Sequence, residues 1–351
     1  MATETSAAPP AGERKANRLG LTLPDYQGAA STLCSGCGHD AITNQIIRAF
    51  FEMGVPPHMV AKLSGIGCSS KTPAYFLNRS HGFNSVHGRM PSLATGAMMA
   101  NRNLVSIGVS GDGDTASIGI GQFMHLVRRN VPMIYIIENN GVYGLTKGQF
   151  SATADLGSKS KWGDENQQDP IDCCAMAVEL GCGYVARSFS GDMKQLLPLL
   201  KGAVAHKGTA LLDIVSPCIT FNNHEGSTKS YKWAKDHEMP LHEVGFVPYF
   251  EQAEVDYKPG ETRSVELPDG SHIYLKKVDE DYDPTSREQA LVTLLRAREK
   301  NLFMTGLLYA NPKQADFCTQ LNMMDAPLAG LPQEKTRPPK AALDAMMERL
   351  R

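Results

Sequence analysis

The chain has 351 residues, 42% of them hydrophobic and 21% charged, with a formal net charge of -2. That balance belongs to a globular protein rather than a disordered one, and it gives no electrostatic case for nucleic acid or for an anionic membrane as partner. No run approaches the roughly twenty apolar residues of a membrane span and the first residues lack a secretory apolar core, so we expect a cytoplasmic location in which the eight cysteines are mostly reduced.

In chain order, residues 1–20 are Ala, Pro and charge, and read as a flexible tail. LCSGCGHD then puts Cys34 and Cys37 on a glycine-rich turn ahead of an apolar-periodic helix. VAKLS reads as the first core strand, with Cys68 directly after it, and past Phe83 a polar loop carrying His87 and Arg89 precedes a small-residue helix with Ala94, Gly96, Ala97 and Ala100. An apolar strand from Leu104 to Val109 breaks at Gly111-Asp112-Gly113. An amphipathic segment follows, then a second strand from Met133 to Ile137 that ends at Asn139-Asn140. Residues 150–169 are polar and read as a surface loop over the active site. Beyond it we expect a helix from Asp172 to Leu180, a strand from Gly183 to Ala186, a helix from Asp192 to His206 and a last core strand from Ala210 to Val215. The stretch with Lys229, Tyr231, Lys232 and Trp233 reads as a solvated or subunit-facing surface. The rest of the chain offers a hairpin across TRSVELPDGSHIYLKKV, a helix from Ser286 to Lys300 and a short strand from Leu302 to Leu308.

The alternation of strands and helices calls for an α/β, doubly wound parallel sheet. A right-handed crossover between the two central strands would bring Asp112 and Asn140 out at the same carboxyl edge, where open α/β sheets bind ligands. One carboxylate, one amide oxygen and a backbone carbonyl would complete the shell of a diphosphate-bound Mg2+, which needs about six oxygens. Gly111 and Gly113 would let the backbone approach a phosphate, and His87 with Arg89 at a helix start suits the same anion. Cys68 and Cys218, both at strand ends, could gather on that edge with Cys34 and Cys37; four thiolates suit either Zn2+ or a [4Fe-4S] cluster, and spacing does not decide between them. Cys173, Cys174, Cys182 and Cys318 read as small buried hydrophobes.

Gly-Asp-Gly, twenty-five residues and Asn-Asn resembles the thiamine diphosphate motif, by which Asp112 and Asn140 would be side-chain ligands of Mg2+ and Val142 would supply its carbonyl. The full set CSGCGHD, IGCSSK, HGRMPSLATG, GDGD, ENNGVYGLTKGQFS and SPC resembles the β subunit of 2-oxoacid:ferredoxin oxidoreductases, nearest the 2-oxoglutarate-using members, over about residues 25–245. The resemblance implies a thiamine diphosphate- and [4Fe-4S]-binding domain of the diphosphate-domain type over residues 21–250 and a C-terminal extension over 251–351. It assigns Cys34, Cys37, Cys68 and Cys218 to the cluster, and Ile66, Gly67, Cys68, Ser69, His87, Gly113, Asp114, Gly144 and Leu145 to contacts with thiamine diphosphate. Lys71 and Leu145 would shape the substrate pocket, the lysine facing the distal carboxylate that 2-oxoglutarate has and pyruvate lacks.

The activity implied is oxidative decarboxylation of 2-oxoglutarate to succinyl-CoA and CO2, with electrons leaving through the cluster to ferredoxin and the reverse carboxylation also possible. No glutamate in the chain is evidently placed to activate the cofactor's aminopyrimidine. An α subunit with the pyrimidine-binding domain should supply it, in an α2β2 heterotetramer. The competing expectations are a pyruvate or broad-range member, a non-redox thiamine enzyme, and a four-cysteine zinc assembly module.

Overall fold

The computed structural model describes residues 16–160, 162–218, 220, 229, 238–240, 242–243, 262–266, 272–277, 282–300 and 303–351. Its strands are β1 (Val60–Ser64), β2 (His81–Asn84), β3 (Val105–Gly111), β4 (Met133–Asn139), β5 (Val142–Tyr143), β6 (Gln149–Phe150), β7 (Tyr184–Phe189), β8 (Thr209–Val215), β9 (Glu238–Pro240), β10 (His242–Glu243), β11 (Thr262–Glu266), β12 (His272–Lys277) and β13 (Phe303–Ala310). The main sheet runs in the order β2-β1-β3-β4-β8-β7-β13-β9. From β2 to β7 every neighbouring pair is parallel, whereas β13 runs antiparallel to β7.

The seven residues of β4 are all buried. Met133, Tyr135 and Ile137 join one core, and Ile134 and Ile136 join the other. This period-2 division of the apolar run Met133 to Ile137 is what a sheet covered on both faces requires, and each such side chain contributes about 1.5–3 kcal/mol relative to exposure. One face carries α1 (His39–Glu52) and, later in the chain, α5 (Met193–Ala205). The other carries α2 (Met90–Ala100), α3 (Ile120–Arg129), α4 (Cys173–Glu179) and α6 (Arg287–Glu299). The chain is therefore an α/β protein with a mostly parallel, doubly wound sheet. Helix starts follow local chemistry: the Asp172 carboxylate accepts from the Cys174 and Ala175 amides, and Ser286 caps α6.

Several expectations need correction. Ala210–Val215 is not the last core strand, because β13 pairs with β7 and its Met304 and Leu308 enter the same core as α6. The tail predicted for 1–20 ends earlier, since Asn17 donates to the Tyr26 hydroxyl and the Phe51 carbonyl; residues 1–15 lie outside the described residues. Edge strand β2 has exposed residues throughout and no apolar pattern to announce it. Lys229 is buried and paired with Asp155 at 2.6 Å rather than solvated. Residues 231–233 lie outside the described residues. The hairpin stands, as Glu266 faces His272, though its Pro-Asp-Gly turn is also outside the described residues. The four remaining cysteines are buried. No described helix is long and apolar enough to cross a membrane.

Candidate functional site

The parallel register sets the ends of β1, β3, β4, β8 and β7 side by side, with Ser64 opposite Val109, Gly111 opposite Glu138, and Val215 opposite both Asn139 and Phe189. The residues that follow these ends, Gly65 to Ser69, Asp112 to Asp114, Asn140 to Leu145 and Ser216 to Cys218, share the carboxyl edge. After Asp112 the backbone winds through a π-helical turn, Gly113–Ile118, before α3, within the segment read as amphipathic from the sequence. Such wide turns often occur at functional sites.

Asp112 is 1% exposed. Its carboxylate accepts from the hydroxyls of Ser151 and Thr153 and from the Asn140 amide, and among the described residues no Lys, Arg or His pairs with it. Burial pushes its pKa up, against the pull of those donors. A buried carboxylate without a cationic neighbour fits a divalent ion, which would supply the missing charge. Asn140 supplies a second hard oxygen, and its Oδ1 accepts from the Val142 amide at 3.1 Å, turning the chain into the β5–β6 hairpin. Tyr143 seats this hairpin against the Gly113 carbonyl at 3.0 Å, and the chain leaving β6 delivers Ser151 and Thr153 to Asp112. The loop expected over the site at 150–169 therefore begins as part of its floor.

Asp114 is 3% exposed and knits three segments together. It takes hydrogen bonds from the Gly88 amide at 2.7 Å and the Ser110 hydroxyl at 2.5 Å, and it pairs with His87. His87 is thus held by a carboxylate, and Arg89 donates to the carbonyls of Gly88 and Ile118. Ile66 and Leu145 expose large apolar side chains on this edge.

The four predicted cysteines are linked in sequence by electrostatic reach, Cys34 acting on Cys37 and, with Cys218, on Cys68. Gly38, just past Cys37, packs against the hydroxyls of Ser190 and Ser216, which follow β7 and β8; a side chain there would overlap Ser190. Gly144 does the same for the other pair, since a Cβ on it would lie 3.6 Å from the Cys218 sulfur and 3.7 Å from that of Cys68. Burial raises the Cys68 thiol, Cys218 and Cys34 are near enough to raise it further, and Lys71 is near enough to oppose them. Cys37 is pushed up to about 11, mainly by burial, with Cys34 adding to the rise. Among the described residues no three His, Cys, Asp or Glu side chains are placed to hold one metal ion. Lys71 is exposed on the short helix Ser69–Ala74, its amide bonded to the Cys68 carbonyl at 3.1 Å.

Sequence reasoning missed the polar layer under the cysteines. Glu138 is 0% exposed and accepts from the Thr72 hydroxyl at 3.0 Å, with His39 Nδ1 at 3.6 Å. Burial drives His39 down to about 4 and Glu138 well up, so it favours the neutral form of each. One signal was available, an acidic residue inside the strand MIYIIEN. Ser151 and Thr153 carried none.

Residues 65–214 match the family model "Thiamine pyrophosphate enzyme, C-terminal TPP binding domain". A 2-oxoacid:ferredoxin oxidoreductase subunit beta from Sulfolobus sp is 44% identical over 191 residues, which cover 54% of this chain and 63% of that protein. The chain thus spans less than two thirds of that relative's length. A 2-oxoglutarate synthase subunit KorB from Methanocaldococcus jannaschii is 34% identical over 216 residues, 60% of this chain and 79% of that one. Among solved structures, a 2-oxoglutarate:ferredoxin oxidoreductase from Magnetococcus marinus with 2-oxoglutarate, coenzyme A and succinyl-CoA bound superposes with a TM-score of 0.71 at 28% identity, covering 92% of this chain and 98% of that one. The chain belongs to the family of β subunits of 2-oxoacid:ferredoxin oxidoreductases.

Proposed function

We propose that the chain is the β subunit of a CoA-acylating 2-oxoacid:ferredoxin oxidoreductase that converts 2-oxoglutarate to succinyl-CoA and CO2, reversibly, and passes electrons through a [4Fe-4S] cluster to ferredoxin. The observation that supports the reading is the loop Asn140 to Leu145, which begins at the Asn140 amide bonded to Asp112 and passes Gly144, where an added Cβ would lie 3.6 Å from the Cys218 sulfur and 3.7 Å from that of Cys68. When bound, thiamine diphosphate supplies the electron sink for loss of CO2 from a 2-oxoacid, and an iron-sulfur cluster accepts electrons singly.

The chain's own residues set the stage for both. Asp112, Asn140 and the Val142 carbonyl would hold Mg2+ against the diphosphate, with Ser151 and Thr153 fixing the Asp112 carboxylate. Ile66 to Ser69, His87, Gly113, Asp114, Gly144 and Leu145 line the cofactor's place, and the apolar surfaces of Ile66 and Leu145 would help to exclude water. Cys34, Cys37, Cys68 and Cys218 are the cluster ligands in this reading. Lys71 lies within electrostatic reach of Cys68 and offers an ammonium to a distal carboxylate. An α subunit brings the pyrimidine-binding domain, and the assembly is an α2β2 heterotetramer in the cytoplasm. The thiamine diphosphate domain takes in residues 21–250 and the extension 251–351.

Anaerobic co-assembly with the α subunit tests this. Viologen reduction should require 2-oxoglutarate, coenzyme A and both subunits. Turnover by the isolated chain would refute the shared site, and equal kcat/KM for pyruvate would refute the substrate assignment.

A further inference from the structure

Strand β4 ends in two asparagines, and the metal reading uses only Asn140. The other, Asn139, belongs to a layer built by three parallel strands. In the register of β4, β8 and β7, Ile137 stands opposite Asp213 and Asp213 opposite Arg187. Successive side chains of a strand alternate between its faces, so Asn139, Asp213 and Arg187 share a face with Ile137, Leu211 and Val185, which join the core that includes α4. Each polar residue stands one pleat nearer the carboxyl edge than its apolar neighbour. Together they form a polar layer between that core and the Asp112 site.

The layer is a continuous run of hydrogen bonds. Arg187 donates through one terminal nitrogen to Asp172, the cap of α4, at 2.6 Å, and through Nε to Asp213 Oδ2 at 3.1 Å. Asp213 Oδ1 accepts from the Asn139 side-chain nitrogen at 3.1 Å. On its other side the Asn139 Oδ1 faces the Thr153 hydroxyl at 3.0 Å, and the same hydroxyl reaches the Asp112 carboxylate at 2.7 Å. Its single proton is shared between those two acceptors, as in other three-centre bonds. Asn139, Asp213, Thr153 and Asp112 are all buried.

This run accounts for the residue type at 139. With Arg187 on one oxygen of Asp213, only a donor can satisfy the other, while the Thr153 hydroxyl needs a fixed acceptor. One amide side chain offers both. A carboxylate there would set a second negative charge against Asp213, and an apolar residue would leave a buried carboxylate oxygen unpaired, which is costly.

We propose that Asn139 is a positioning residue for the metal site. Braced by Asp213 and Arg187, it fixes the Thr153 hydroxyl and through it the angle of the Asp112 carboxylate, while its own backbone carries Asn140. One buried network thus sets the two side-chain ligands relative to each other. The inference rests on the reading of Asp112 and Asn140 as Mg2+ ligands. Its consequence is selectivity: Mg2+ demands near-octahedral geometry with bonds of about 2.0–2.1 Å, whereas Ca2+ accepts flexible geometry at about 2.3–2.6 Å. A carboxylate free to swing should therefore cost Mg2+ more than Ca2+.

The test uses the full chain assembled with its α subunit, titrated calorimetrically with Mg2+ and separately with Ca2+ in the same excess of thiamine diphosphate. Asn139→Ala should weaken Mg2+ by about tenfold or more, the usual effect of removing a group that orients a metal ligand, and Ca2+ by less than about threefold, since that ion tolerates looser geometry. The number of sites per chain should not change. Thr153→Val breaks the same link with a side chain of the same shape and should shift the ratio of the two affinities in the same direction. Asn139→Asp/Asp213→Asn exchanges the two partners and keeps the net charge, so it should restore the native ratio that Asn139→Asp alone loses. Equal losses for both ions, an unchanged ratio in Asn139→Ala or Thr153→Val, or a paired exchange no better than Asn139→Asp would each overturn the proposal. A loss of sites with the ratio unchanged would show a role in the fold alone and overturn it too. Should Asp112→Ala bind Mg2+ as tightly as the native protein, the metal-site reading itself fails, and the inference with it.

Discussion

Asp112→Asn separates the metal-binding role of this residue from its place in the fold. The native carboxylate is buried and pushed toward its protonated form by that burial, so the neutral, isosteric amide relieves a cost. An amide oxygen can still accept from the hydroxyls of Ser151 and Thr153, while the Asn140 amide loses its acceptor. One neutral hydrogen bond is worth about 1 kcal/mol, so without metal the variant should differ from the native protein by no more than about that amount, in either direction. Metal binding should behave differently. Removing one member of a buried charge pair costs roughly 3–5 kcal/mol, which is about two to four orders of magnitude in affinity. Calorimetric titration of the assembled protein with thiamine diphosphate at fixed Mg2+, beside thermal unfolding of the metal-free protein, gives both numbers. Native-like affinity in Asp112→Asn would refute the reasoning, as would loss of the metal-free fold.

Three further outcomes follow from the same geometry. Cys218→Ser should remove the broad visible absorption of an iron-sulfur centre although Cys218 lies 150 residues after Cys68; a retained spectrum and iron content would place the fourth ligand elsewhere. Lys71→Ala should lower kcat/KM for 2-oxoglutarate by more than roughly tenfold, from the usual cost of breaking a charge pair, and spare pyruvate; equal losses would move the preference to the α subunit. The neutral His206, with its folded pKa held near 4 against an ordinary 6.5, favours the folded state fully above pH 6.5 and progressively less as pH falls toward 4. The total is about 3 kcal/mol. Urea unfolding across that window should be less pH-dependent in His206→Gln, and an unchanged slope would show that the imidazole is not buried neutral.

The fold was legible wherever one periodicity dominated. MIYIIEN and TALLDIV are buried on both faces and could only be central strands, and caps such as Asp172 and Ser286 marked helix starts within a residue. Strand β2 escaped because an exposed edge needs no apolar pattern, and β13 was read as an appendage because pairing with β7, more than a hundred residues earlier, leaves no local trace. The site divides the same way. Asp112, Asn140, Cys68 and Cys218 could be placed on one edge because they follow strand ends that the parallel register sets side by side. Ser151, Thr153 and Thr72 act on that edge through hydrogen bonds, which many sequences could provide, so only the folded structure reveals them.

The central claim is that one sheet edge gathers Cys34, Cys37, Cys68 and Cys218 around an iron-sulfur cluster beside the Asp112 metal site. Iron, acid-labile sulfide and zinc analysis of the anaerobically purified full chain tests it most directly. The account predicts about four irons and four sulfides per chain, lost together in Cys68→Ser. One zinc per chain with no labile sulfide would contradict it.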